Sequence, residues 1–298
     1  MFTRNSWTAS AAVLAFVLLW GSAALFTRWA LDHGSVFAVL IARFALALGA
    51  TSMISLRRGR WLPEVGTRRH VAATGLLLIG SYSICYFQAM ACGLTPGMMS
   101  TLLGVQPILT LMLTERRCSS RRVAGLLLAL SGLILVVYQS LFRAHVSVAG
   151  IGFAMGALCC VTVGTLMQKR LQQTPMEVLP LQHFVTLLLL ICVAPSQPIR
   201  FEASVGFMLP VLWLGLMVSV TSQFLLYRMI RAGNLANITS LFYLVPVVTV
   251  LLDDLIFGNA LPALALVGMT AILAGLFLVL RTQPANDVTQ ELRPNLDN

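Results

Sequence analysis

Gly132-Leu-Ile-Leu-Val-Val137 returns 143 residues later as Gly275-Leu-Phe-Leu-Val-Leu280. Seven residues ahead of each run stands another glycine, Gly125 in one case and Gly268 in the other. Working outward, the correspondence persists. At a shift of 139, Pro107 meets Pro246 and Ser100-Thr101 meets Thr239-Ser240; at 140, Arg43 meets His183, Phe44 meets Phe184 and Gly93 meets Gly233. No single match is strong, but nearly one register holds over the length of the chain. The sequence therefore reads as two similar halves, at 1–143 and 144–283, followed by a polar tail at 284–298 expected to be disordered.

Composition says where these halves live. Charged residues make up 10% of the chain and apolar ones 58%, against about 25% charged in a soluble domain. The mean hydropathy is +0.87. Water would not solvate such a surface, and apolar runs of about 20 residues, enough to cross a bilayer, recur almost without gaps. The net charge of +10 does not indicate nucleic acid, because the basic residues form short clusters between apolar runs instead of a stripe with interleaved aromatics. Six cysteines without a CxxC spacing make neither a disulfide framework nor a metal site. The first apolar run, from Ala11, continues to Thr27 without a convincing cleavage site, so it reads as a retained helix and not a signal peptide.

Turn-forming residues divide the chain into ten expected spans, at 8–31, 35–56, 70–92, 94–113, 122–141, 147–168, 176–195, 205–230, 235–257 and 262–280. Counted on alternate sides, Lys and Arg fall sixteen against three, with Arg43 inside a span. The positive-inside rule then places both termini in the cytoplasm. Each half holds five spans, an odd number, so the second half enters the membrane upside down. Inverted repeats are the architecture of alternating-access carriers, with solute bound near the midplane between the halves.

Polar and aromatic groups at membrane depth are costly unless paired or facing a wet cavity. The third span carries Ser81, Tyr82, Ser83, Tyr86 and Gln88; the eighth carries Ser219, Thr221, Ser222, Gln223 and Tyr227. Ser100, Thr101 and Gln106 lie in the fourth span, Asn237, Thr239, Ser240 and Tyr243 in the ninth. The first and sixth add Trp20, Ser22, Thr162 and Thr165. From these, Trp20, Tyr82, Ser83, Tyr86, Ser100, Thr101, Thr162, His183, Ser222, Gln223, Thr239 and Tyr243 form the candidate solute-binding set. A tyrosine offers a stacking face together with a hydroxyl, suited to an amphipathic solute. The competing role for each Ser or Thr is interhelical bonding. Arg43 and His183 are candidate carboxylate or proton sites, the alternative being bonds to helix ends. Pro107 and Pro246 are candidate hinges. Gly152 and Gly156 fit a close-packing pair. No Asp or Glu is expected near mid-span: Glu64, Glu115 and Glu177 fall at the cytoplasmic side, Asp32 and Glu202 outside, and Asp253 and Asp254 at an edge. Transport down the solute's own gradient, without an obligatory proton, follows from that.

An intramembrane enzyme would need a nucleophile with its base, or a metal cluster. Three of the four histidines lie in loops, and no HExxH occurs. Lys169 is the sole lysine and no glycine-rich loop precedes it, which excludes a Walker phosphate loop. Neither cofactor nor metal is implied. A channel would need filter rings of repeated carbonyls or charges, and none is visible.

Trp20-Gly-Ser in the first span, Arg43-Phe44 in the second, Pro107 leading to Glu115, and the Gly125/Gly132 pair together resemble the EamA-type drug/metabolite transporters over about residues 8–281. The resemblance implies a ten-helix carrier of the bacterial inner membrane that exports small metabolites. It is most similar to the exporters of aromatic amino acids, with drug or cation export as the alternative within that superfamily. The partners implied are a small solute and the lipid bilayer. Two features depart from the pattern: Gly258-Asn259 stands where Gly-Glu is usual, and the stretch after Pro107 is about four residues shorter than its partner after Pro246.

The charge split generates a topology test. A reporter fused near Gly93 or after Arg143 is expected to read outside, and one near Ser119 cytoplasmic. Gly93 and Ser119 reporting the same side would undo the five-helix inversion.

Overall fold

The computed structural model describes residues 4–57, 62–115, 119–143, 147–233, 235–257 and 263–281, with side chains except at 4–10, 137, 139–143, 250 and 253–257. The tail at 284–298, Gly258-Asn259 and the carboxylates of Asp253 and Asp254 lie outside what is described.

Ten helical spans follow one another. They are α1 (Arg4–His33), α2 (Val36–Arg57), α3 (Val65–Ala91), α4 (Pro96–Thr114) and α5 (Ser120–Arg143). The second half holds α6 (Val148–Arg170), α7 (Pro175–Val193), α8 (Val205–Ala232), α9 (235–257) and α10 (Ala263–Arg281). Among the described residues, eight helices are long and apolar enough by themselves to cross a membrane. The 24 residues of α5 reach about 36 Å at 1.5 Å per residue, and α9 completes the ten. The protein is thus an all-α membrane protein of two five-helix halves. Ten crossings leave both ends on one face, termed here the terminal face.

Pairings between helices are symmetric under exchange of the halves. The most extensive joins α5 to α10; α2 pairs with α7 and α4 with α9, while α3–α6 has its counterpart in α8–α1. The α5–α10 crossing is built by the glycines of the two matching runs. A Cβ on Gly132 would lie 2.6 Å from Gly268 O, and one on Gly268 would lie 2.5 Å from Gly132 O. Gly125 and Gly275 face each other in the same reciprocal way. Backbone therefore packs on backbone, the means by which helices associate where lipid removes the hydrophobic drive. Gly152, by contrast, has nothing within 4 Å, and Gly156 packs on Cys85.

The loops repeat the inversion. On the face opposite the termini, Gly34 between α1 and α2 bridges Phe201 between α7 and α8. On the terminal face Gln173, between α6 and α7, donates to Thr67 Oγ1 at 2.6 Å, in the first turn of α3. Gly93 ends α3 with a φ of 94°; Leu94 N donates to Ala89 O at 3.2 Å, the six-to-one bond of a glycine-terminated helix.

Four helices are irregular, and they are two symmetric pairs. α3 carries a π-helical stretch at Leu76–Ser81, and α8 one at Trp213–Ser222. α4 breaks at Gly104-Val105 between Pro96–Leu103 and Gln106–Thr114. α9 passes through a 3₁₀ turn, Leu241–Tyr243, before Leu244–Phe257. Pro107 and Pro246 stand second and third in the segments that follow these interruptions, in the first turn, where a proline's missing donor costs little. Threonines repair part of the wider ladders: Thr186 of α7 donates to Gly75 O at 3.3 Å, and Thr221 to Leu216 O at 3.3 Å.

By sequence Arg122 counts on the cytoplasmic side, where the fifth span begins, and Glu115 lies at a membrane edge on that side. The structure adds that α5 begins at Ser120 and that both side chains are buried, Arg122 completely and Glu115 to 7% exposure. Arg122 Nη1 pairs with Glu115 Oε1, and Nη2 donates to Asn237 Oδ1 at 2.6 Å. A buried guanidinium is tolerable only with such partners. The group ties α4 and α5 of the first half to the first turn of α9 in the second.

Wedging the glycine crossing is expected to destabilise the fold. Gly132→Leu or Gly268→Leu should lower thermal stability in detergent by about 1–3 kcal/mol, the usual cost of overpacking. Gly152→Leu should leave it unchanged. Thermal unfolding of the purified variants, followed by intrinsic fluorescence, checks this.

Candidate functional site

The irregular helices surround a cavity between the halves, of about 100 Å³. One water needs about 10–15 Å³ by this measure, so there is room for several waters. α1 contributes Trp20, Ala23, Ala24 and Thr27; α2 contributes Arg43 and Phe44. From α3 come Leu78, Ile79, Tyr82, Ser83, Tyr86 and Phe87. The broken α4 supplies Ser100, Leu103, Gly104 and Gln106. Across from them stand Val161 of α6, His183 of α7, then Val218, Ser219, Gln223 and Leu226 of α8, and Phe242, Val245 and Pro246 of α9. Helices α5 and α10 take no part; their crossing lies outside it.

An aromatic wall joins the halves on one side. Trp20 and Phe242 meet edge to face with ring centroids 5.5 Å apart, and Phe16 lies behind both at 5.3 and 5.6 Å. Tyr82 and Tyr86, one turn apart on α3, form a second wall at 5.8 Å. Such rings offer faces to an aromatic or amphipathic solute and lose little rotamer freedom on contact.

Arg43 and His183, equivalent in the two halves, face the same space because α2 and α7 cross there. Arg43 Nε donates to Ser219 Oγ at 2.7 Å, and its guanidinium carbon lies 5.0 Å from the Phe44 ring centroid and 5.9 Å from that of Phe87. His183 is fully buried; its Nδ1 lies 3.3 Å from Thr51 Oγ1, and its ring is 6.0 Å from Phe44. Among the described residues Arg43 is the one formally charged side chain lining the cavity, and no carboxylate lines it. Lys169 is engaged elsewhere: Nζ donates to Ile230 O and Gly233 O, both at 2.6 Å, capping the C-terminus of α8.

Of the residues singled out from sequence, Trp20, Arg43, Tyr82, Ser83, Tyr86, Ser100, His183, Gln223 and Pro246 come together around the cavity. Thr101, Pro107, Thr162, Ser222, Thr239 and Tyr243 do not border it. Thr101 bonds Gly97 O at 3.1 Å and Thr239 bonds Leu235 O at 3.0 Å, each satisfying its hydroxyl on its own helix. Tyr243, 1% exposed, packs into the cluster formed with α5 and α10. The 3₁₀ turn explains that difference: it rotates Phe242 toward the cavity and Tyr243 away. Sequence reasoning assigned no role to Thr27, Gln106, Ser219, Phe44, Phe87 or Phe242. Gln106 and Ser219 stand out by depth, Thr27 less so near the end of its span, and Phe44 by its place beside Arg43, but among 15 phenylalanines no pattern separates Phe87 and Phe242.

Two matching halves around a cavity at mid-span define a membrane transporter. A model of the EamA-like transporter family matches residues 7–138 and again residues 148–281. The chain belongs to that family, whose members are transporters and not enzymes. A solved structure titled only "Crystal structure of protein" superposes with a TM-score of 0.76 at 19% identity, covering 92% of this chain and 98% of that one. This shows the shared fold. No curated protein matches the chain.

Two tyrosines separate a cavity role from a packing role. Tyr82→Ala is expected to raise the solute concentration needed for half-maximal transport while membrane abundance stays normal. Tyr243→Ala should instead cost stability, about 3 kcal/mol or more for a buried aromatic ring. Transport kinetics alongside thermal unfolding of each variant tests this, and reversed behaviour would refute the assignment.

Proposed function

We propose that the protein is a secondary transporter that exports small amphipathic metabolites, chiefly amino acids with aromatic or neutral side chains, by alternating access and without ATP. The observation that carries this reading is the cavity itself: two aromatic walls, a few hydroxyls and amides, and one cation, enclosed between inverted halves. In this reading Trp20, Tyr82, Ser83, Tyr86, Ser100, His183 and Gln223 contact the solute. Thr101 and Thr239 bond their own helices, and Thr162, Ser222 and Tyr243 are buried in the packing between helices. Pro107 and Pro246 sit beside the interruptions at which α4 and α9 bend. The sixteen-to-three distribution of Lys and Arg supports a cytoplasmic terminal face and a bacterial inner-membrane setting.

Coupling follows from what borders the solute. Proton-driven carriers place a titratable acid at membrane depth where solute and proton compete, and among the described residues no carboxylate lines the cavity. The solute therefore moves down its own gradient, with exchange.

The test is counterflow into proteoliposomes with labelled aromatic and neutral amino acids, with and without a pH difference at fixed membrane potential. Saturable uptake accelerated by solute on the far side, and indifferent to the pH difference, is expected. A proton gradient that drives a neutral amino acid well above equilibrium would refute the uncoupled mechanism. His183→Gln would then report whether the imidazole carries the proton.

A further inference from the structure

Among the described residues the charge at Arg43 has no carboxylate counter-ion. Its Nε is held by Ser219 Oγ, and the rings of Phe44 and Phe87 lie against the guanidinium. Among the described residues, Nη1 and Nη2 have no hydrogen-bond partner, although they belong to a side chain that borders the cavity. The described carboxylates nearest in kind are committed elsewhere: Glu115 to Arg122, Asp32 to Arg28, and Glu177 to the N-terminus of α7. A guanidinium presents five donors in a rigid fork that matches a carboxylate with two parallel bonds. Charge-assisted pairs of this kind are stronger where water is scarce.

We propose that the free Nη1/Nη2 edge of Arg43 is the anchor for a carboxylate on the solute. The transported class is then anions or zwitterions that join a carboxylate to an apolar or aromatic body, and cations are rejected. Ser219 and the two phenylalanines fix the plane of the fork. Tyr82 and Tyr86, within the same cavity, receive the ring. A cation without a carboxylate partner also repels a cationic drug. The inference rests on the reading of this cavity as the solute site.

The experiment uses the purified full chain in detergent, with tritiated L-phenylalanine as the bound probe. Unlabelled 3-phenylpropionate, L-phenylalaninamide and phenethylamine serve as competitors, and tritiated 3-phenylpropionate and phenethylamine are also tested directly. Phenylpropionate should compete within a few-fold of phenylalanine. The amide and the amine, lacking the carboxylate, should be weaker by about 10- to 100-fold, the range expected for hydrogen bonds to a charged group. Arg43→Gln should abolish that difference, and Arg43→Lys, which keeps the charge but not the fork, should retain part of it. Thermal unfolding of both variants reports whether they fold, and the wild-type competition series does not depend on them.

Equal competition by the amide or the amine in the wild-type protein overturns the proposal, as does full discrimination in a folded Arg43→Gln variant. Binding of phenylpropionate without phenylalanine supports the anchor while removing the amino-acid reading. Direct binding of phenethylamine alone removes the anchor and leaves a transporter of cations. Failure of phenylalanine and phenylpropionate to bind at all counts against the anchor.

Discussion

Inside a bilayer every backbone N–H and C=O has to find a partner within the protein, because lipid offers none. Regular helices meet that demand without help, and six of the ten spans here have no described interruption. The other four give up regular bonding where they meet the cavity: π-helical stretches in α3 and α8, a break in α4 and a 3₁₀ turn in α9. Thr186 and Thr221 replace some of the lost bonds from the side. Each interrupted segment has residues bordering the cavity, a place where irregular backbone is tolerated. The irregular backbone and the cavity thus depend on each other.

Symmetry supplies the frame, and departures from symmetry supply the chemistry. The α5–α10 crossing treats the halves alike, glycine facing glycine. The cavity does not. Arg43 and His183 occupy equivalent places, yet one is a permanent cation and the other an imidazole bonded toward Thr51. Phe44 packs against both, whereas its repeat partner Phe184 is 52% exposed on the lipid side. A carrier whose halves exchange roles can keep its mechanics symmetric while its solute contacts come unequally from the two repeats.

Much of the fold was legible in the residues. Span positions, the inverted repeat and the glycine matches all rest on properties one helix carries by itself: hydropathy, loop charge and small side chains. The cavity was partly legible for a similar reason, since Arg43, Tyr82 and Gln223 are conspicuous at membrane depth. What escaped depends on rotation about a helix axis. Leu76–Ser81 reads as any apolar stretch, and nothing in it announces a π-helical turn. Phe242 and Tyr243 are neighbours, and only the 3₁₀ turn between helical segments decides which faces the cavity. Arg122 follows Arg121 and looks solvated; its burial depends on partners 7 and 115 residues away.

The group formed by Arg122, Glu115 and Asn237 has a consequence for where the two halves can part. It spans the two halves near the terminal face, in a place where Arg122 has no exposed surface. The ion pair of Glu115 and Arg122 lies within the first half, and the described bond that crosses to the second is the one to Asn237. Parting α9 from α4 and α5 would leave the ion pair intact and give up one hydrogen bond to a charged group, about 1.5–3 kcal/mol where no water replaces it. The seam at this face thus carries the cheaper of the two attachments, and the costlier one stays inside a single repeat.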